Sequence, residues 1–137
     1  MSTPALRPHI LLAEDSEDDV LLFQYAMRKA GVETAFSVLE TTQGVMDYVE
    51  GKGIYGQREI YPLPAIIFLD GQLHNKSSTA LLSWIRNHPT TNEVPVVVLT
   101  GHLDAEVTAE AMKCGALTCI AKPMAREHWE QLRPFLK

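Results

Sequence analysis

The sequence predicts an α/β domain in which a doubly wound, five-stranded parallel sheet is covered by five helices. Two observations support this fold class. Short apolar runs alternate along the 137 residues with stretches of helical spacing, and three of the runs are continuously apolar. A continuous apolar run indicates a strand buried on both faces, which is typical of a parallel sheet with helices on each side.

The first half of the chain contains two strand–helix units followed by a long connection. An apolar run at His9–Ala13 precedes a helix predicted over Ser16–Ala30. A second run, Ala35–Leu39, precedes a helix predicted over Thr42–Glu50, where apolar residues recur at helical spacing. Gly51–Pro64 is rich in glycine and proline, so we predict a surface loop there.

The second half repeats the same alternation three times. The run Ala65–Leu69 precedes a helix predicted over Ser78–Asn87, and Pro89 follows its end. The remaining predicted elements are a strand at Val94–Leu99, a helix at Asp104–Lys113, a strand at Leu117–Ala121 and a helix at Ala125–Phe135. We therefore expect residues 1–137 to form one domain.

Composition excludes several classes of protein. With 46% apolar and 21% charged residues, the chain resembles an ordinary soluble domain. No apolar run approaches the ~18 residues that a membrane span needs, and no secretion signal precedes the first strand. A net charge of −5 argues against nucleic-acid binding. Cys114 and Cys119 lack metal-binding spacing, so we expect reduced thiols and a cytoplasmic location.

Polar residues directly follow four of the predicted strands. Glu14 and Asp15 follow the first strand, Asp70 the third, Thr100 the fourth and Lys122 the fifth. In a doubly wound sheet, ligands bind outside the carboxyl ends of the strands, so these side chains are expected to converge. Clustered carboxylates favour a hard divalent cation such as Mg²⁺. Asp70 is the best candidate for a nucleophile toward a phosphoryl group, whose oxygens Thr100 and Lys122 would neutralise.

Four segments, ILLAEDSEDD, AIIFLD, VVVLTG and CIAKP, resemble the receiver domain of two-component response regulators over nearly the whole chain. The resemblance implies a flavodoxin-like fold with strand order 2-1-3-4-5, and Asp70 as the acceptor of a phosphoryl group from a sensor histidine kinase. It also implies that Asp15 and Asp70 bind Mg²⁺ directly, that Glu14 acts mainly through water, and that the backbone carbonyl of Gln72 is a further ligand.

The resemblance further implies a stand-alone regulator that turns over no external substrate and is therefore not an enzyme in that sense. The enlarged Gly51–Pro64 loop is similar to that of regulators paired with bacterial phytochromes. Output is expected through a downstream protein target and a homodimer formed by the fourth helix, fifth strand and fifth helix, without nucleic acid or membrane. The apolar candidates for these contacts are Leu103, Val107, Met112, Trp129 and Phe135.

Two alternative functions are weighed against this one. A binding module that is never phosphorylated is favoured by Cys119, which stands where the family commonly has an aromatic residue, and by the absence of the usual Asp–Gly turn after Asp70. An aspartate-nucleophile phosphatase generally has a second acid two residues after the nucleophile, but this chain has Gln72 at that position.

Some charged and polar residues are interpreted as structural only. Asp19 is interpreted as a helix N-terminal acid, and the five histidines, His9 included, as surface residues.

Overall fold

Five parallel strands form the central sheet of the computed structural model, which describes residues 8–136. The strands are β1 (His9–Ala13), β2 (Ala35–Leu39), β3 (Ile66–Asp70), β4 (Gln72–Leu73), β5 (Lys76–Ser77), β6 (Val96–Thr100) and β7 (Thr118–Ala121). The order in the sheet is β2-β1-β3-β6-β7, and β4 and β5 form a separate antiparallel hairpin. When only the strands of the central sheet are numbered, β6 and β7 become the fourth and fifth strands, and the order is the expected 2-1-3-4-5.

Five α-helices within the described part of the chain flank the sheet, at bounds close to those predicted. They are α1 (Glu17–Lys29), α2 (Thr42–Glu50), α3 (Thr79–Asn87), α4 (Ala105–Lys113) and α5 (Arg126–Leu132), with short 3-10 helices at Gly53–Gly56 and Arg133–Leu136. The last helix is shorter than predicted, because Pro134 has no amide hydrogen and the chain continues as a 3-10 turn. Within the described residues, none of the helices has both the length and the apolarity needed to cross a bilayer.

Alternating residues of the central strands divide the core into two layers. On β3, Ile67 packs among apolar residues of α2, α3 and α4, whereas Phe68 contacts Phe23 of α1 and Trp129 of α5. All five residues of β1 and of β3 are buried. Trp129 is 0% exposed, so it packs in the core and the prediction that it contributes to a contact surface is wrong.

The Gly51–Pro64 segment is attached to α2. Arg58 donates hydrogen bonds from Nη1 to the carbonyls of Tyr48 (2.7 Å) and Tyr61 (3.2 Å), and from Nη2 to that of Val49 (2.8 Å). The Tyr48, Tyr55 and Tyr61 rings also pack against one another. Because the last carbonyls of a helix lack partners within it, this loop supplies part of the C-terminal cap of α2.

Two further features differ from the sequence predictions. The β4–β5 hairpin was not predicted; its turn contains His74 and Asn75, both with positive φ (52° and 63°), as expected for a type I′ turn. His9 is buried, not on the surface, because its ring nitrogen Nε2 forms a 2.8 Å hydrogen bond with the Ser37 hydroxyl of the neighbouring strand. That bond satisfies one polar atom inside the sheet layer.

Candidate functional site

Three carboxylates meet at the carboxyl ends of β1 and β3. These strands are paired, with Ala13 opposite Leu69. Glu14 and Asp15 follow Ala13, and Asp70 follows Leu69, so the three acids lie side by side. One carboxylate oxygen from each acid lies within 4.8 Å of the other two. Such a group of hard oxygen donors fits Mg²⁺, so the residues present match the metal implied by the sequence.

Glu14 is the most buried of the three acids, with a side chain 2% exposed. Its Oε2 accepts hydrogen bonds from the backbone amides of Asp15 (3.1 Å) and Ser16 (3.2 Å). Burial, together with the neighbouring Asp70 carboxylate, raises the pKa of Glu14 to about 7, although Lys122 acts in the opposite direction. In the absence of a metal, the Glu14 carboxyl therefore takes up a proton near neutral pH.

Asp15 is held by the hairpin. Its Oδ2 accepts a 2.9 Å hydrogen bond from the His74 amide, and this bond lowers the pKa of Asp15. The His74 imidazole donates from Nε2 to the carbonyl of Glu40 (3.0 Å). The hairpin tip is thereby tied both to a proposed metal ligand and to the loop between β2 and α2. This role of His74 was not predicted from the sequence.

Asp70 is fixed by the chain that follows it. Its Oδ1 accepts a hydrogen bond from the Gln72 amide (3.1 Å), and its backbone carbonyl accepts one from the Ser78 hydroxyl (2.6 Å). The Gly71 amide donates to the Leu99 carbonyl (2.8 Å). These bonds set the turn after β3. A metal bond from the Gln72 carbonyl stays a prediction.

Lys122 contacts three carboxylates. Its Nζ donates to Asp19 Oδ2 (2.7 Å), Glu14 Oε1 (3.1 Å) and Asp70 Oδ2 (3.2 Å). Burial lowers the pKa of Lys122, but the hydrogen bonds to Asp19 and Glu14 and the charge of Asp70 outweigh that effect, so the net shift is upward. The amide of Lys122 donates to the Thr100 carbonyl, and its peptide bond to Pro123 is cis.

Asp19 is a site residue that the sequence analysis missed. It lies in the first turn of α1, and its carboxylate is the nearest of the three partners of Lys122. Helix N-terminal acids are common, so the run of acids gave no reason to separate Asp19 from Asp18. The available signal was position, because the N-terminus of α1 follows β1 directly and so lies at the same sheet edge.

Thr100 lies in the same cleft as Asp70, and its hydroxyl is hydrogen-bonded to the backbone of His102. Thr100 Oγ1 donates to the His102 carbonyl (3.1 Å) and accepts from the His102 amide (3.2 Å). The cleft has a volume of about 720 Å³, and Asp15, Asp70 and Lys122 also line it. The Thr100 hydroxyl must therefore give up its hydrogen bond to the His102 carbonyl before it can donate to a phosphoryl oxygen.

Comparison with known proteins gives the family. Residues 10–132 match the model of the response regulator receiver domain. The chain is 33% identical over 101 residues to the response regulator Rcp1 of Synechocystis sp., which corresponds to 73% of this chain and 67% of that protein. The chain belongs to the response regulator receiver domain family.

Two crystal structures illustrate the similarity of fold. One is the phosphorylated cyanobacterial phytochrome response regulator RcpA, with a TM-score of 0.74 and 25% identity over 92% of this chain and 88% of that chain. The other is the response regulator RPA3017 in red light signaling of R. palustris, with a TM-score of 0.80 and 23% identity over 93% and 90% of the two chains. Receiver domains are signalling domains of two-component systems, in agreement with the resemblance found in the sequence.

Proposed function

We propose that this protein is a response regulator that accepts a phosphoryl group on Asp70 from a sensor histidine kinase. The observation that supports the proposal best is the placement of Asp70 beside two further acids and a lysine. Its Oδ2 lies 3.2 Å from Lys122 Nζ, and one of its oxygens lies within 4.8 Å of oxygens from Glu14 and Asp15. Nucleophile, cation and candidate metal ligands thus occupy one edge of the sheet.

The proposed reaction transfers a phosphoryl group from nitrogen to oxygen. An oxygen of Asp70 attacks the phosphorus of a phosphohistidine, a P–O bond forms, and the P–N bond breaks. The leaving imidazole keeps the electron pair of that bond and takes up a proton. Lys122 neutralises charge on a phosphoryl oxygen, and Thr100 donates to another once its hydroxyl leaves His102.

We propose that Glu14, Asp15 and Asp70 hold Mg²⁺, with Glu14 acting mainly through water and the Gln72 carbonyl as a further ligand. The metal supplies charge neutralisation between the acids and the incoming phosphoryl oxygens. The structure supports the choice of a hard cation, because every candidate donor is oxygen.

The partners proposed are a sensor histidine kinase of the phytochrome type and a downstream protein target, in the cytoplasm. Support for the kinase type comes from the relatives, whose names include phytochrome response regulators. We also propose a homodimer through α4, β7 and α5. Of the apolar residues expected there, Leu103, Met112 and Phe135 are 45%, 48% and 38% exposed and remain candidates. A sedimentation coefficient that stays monomeric at high concentration, with and without phosphorylation, contradicts the dimer.

Phosphorylation is tested by incubating the protein with acetyl phosphate and Mg²⁺ and recording the intact mass. The expected result is one phosphoryl adduct that requires Mg²⁺ and is absent in Asp70→Asn. No adduct in the wild type, despite measured Mg²⁺ binding, favours the binding module that is never phosphorylated. An adduct that persists in Asp70→Asn shows that another residue is the acceptor.

A further inference from the structure

The contact between Asp19 and Lys122 differs from what the local sequence favours. In a capping box, the N-cap serine accepts from the amide three residues on, and the acid at that position reaches back to the serine amide. Here the first half is present, since the Asp19 amide donates to Ser16 Oγ (3.3 Å). The second half is absent, because the Ser16 amide donates to Glu14 Oε2 instead. The Asp19 carboxylate is therefore free to contact Lys122.

Lys122 has no spare hydrogen-bond donor in this arrangement. An ammonium group carries three N–H bonds, and Lys122 Nζ contacts three carboxylates at 2.7–3.2 Å. A phosphoryl oxygen can therefore gain a hydrogen bond from this lysine only if one carboxylate gives up its own. This condition rests on the function proposed above, in which Lys122 must reach the phosphoryl group.

The three carboxylates differ in their ability to release the lysine. Glu14 is 2% exposed and cannot be solvated without opening the core. Asp70 is the acceptor itself, with a side chain 10% exposed. The side chain of Asp19 is 32% exposed, so it can turn into water at low cost in desolvation.

We propose that Asp19 is a positioning residue that competes with the phosphoryl group for Lys122 and so slows phosphorylation of Asp70. In the resting protein, Lys122 is bound to Asp19 at the shortest distance of its three contacts. Phosphoryl transfer requires that bond to be exchanged for one to a phosphoryl oxygen. Removing the Asp19 charge removes this competition and leaves Glu14 and Asp70 to hold the lysine at the site.

The test compares three variants that separate position from charge. Asp19→Asn removes the competing carboxylate, and Asp18→Asn removes the same charge from the exposed neighbouring residue. Asp19→Glu keeps a carboxylate on the same turn of α1. With acetyl phosphate and saturating Mg²⁺, the rate constant for adduct formation is expected to rise about threefold to tenfold in Asp19→Asn, as for the loss of one partly exposed ion pair. Asp18→Asn is expected to stay close to the wild type, and Asp19→Glu, which keeps a carboxylate, is expected to raise the rate constant less than Asp19→Asn does.

A second measurement needs no phosphorylation. In nitrogen-15 NMR of the metal-free protein, the ammonium protons of Lys122 should exchange with water faster in Asp19→Asn than in Asp18→Asn. If exchange accelerates but the rate constant matches that of Asp18→Asn, or falls, Asp19 does not compete for the lysine and the inference is overturned. If the wild type forms no adduct, the proposed function fails and the inference with it, while NMR still reports whether the contact exists.

Discussion

Neutralising Glu14 provides a quantitative test of the charge balance in the metal-free site. Folding raises the pKa of this buried carboxyl from its ordinary 4.5 to about 7. Between these two values the folded state holds a proton that the unfolded state releases. The free energy of unfolding must therefore fall as the pH rises through this range, and the loss is complete above the pKa of the folded state.

The size of the effect follows from the two pKa values. A difference of this size corresponds to about 3 kcal/mol in total, of which about 2.5 kcal/mol lies between about pH 5 and about pH 8. The side chain of Gln in Glu14→Gln cannot ionise, so the unfolding free energy of this variant does not fall for this reason. Relative to the wild type, the variant should gain about 2–3 kcal/mol of unfolding free energy over that interval.

The assay is urea unfolding followed by far-ultraviolet circular dichroism, with EDTA present, across the pH range. Glu127→Gln removes one negative charge from an exposed position on α5 and serves as the control. With a urea dependence of roughly 2 kcal/mol per molar, the relative midpoint of Glu14→Gln should move by about 1 M. A difference between Glu14→Gln and the wild type that stays constant with pH refutes the reasoning.

Three further predictions concern other parts of the molecule. Burial lowers the pKa of His9, so the wild type should lose stability as the pH falls below about 6.5, and His9→Gln should lose less in the same urea assay; equal losses contradict this. Arg58→Met removes three hydrogen bonds to carbonyls and should lower the unfolding free energy by about 2 kcal/mol, whereas exposed Arg28→Met should have little effect; equal stabilities show that the loop is not attached as described. Asp15→Asn should weaken Mg²⁺ binding about tenfold or more in calorimetry, and Asp18→Asn should not; unchanged binding by Asp15→Asn places the metal elsewhere.

The strands and the strand-end residues could be predicted because each depends on a short local pattern, whereas the strand order was implied by the resemblance to receiver domains. An apolar run fixes where a strand ends, so the position of Asp70 follows from the run before it. The β4–β5 hairpin has strands of two residues each, which is too short for any alternation to be visible.

The roles of Asp19 and His74 were missed for different reasons. Asp19 is one of several acids at a helix N-terminus, and its carboxylate contacts Lys122 while the Ser16 amide donates to Glu14. His74 contacts Asp15 through its backbone amide, which every residue except proline has, so the residue type does not indicate this contact. His9 is buried through a bond to Ser37, which lies on another strand.

The two tryptophans lie on opposite sides of the sheet, so each can report optically on one layer. Trp129 belongs to the layer of α1 and α5, where its ring lies 5.5 Å from that of Phe68, two residues before Asp70. Trp84 of α3 packs against the other layer and lies 4.7 Å from the His88 ring. In Trp84→Phe, the intrinsic emission comes from the buried indole of Trp129, next to β3. In Trp129→Phe, it comes from the face that carries the attached loop, so one protein offers two separate fluorescence signals.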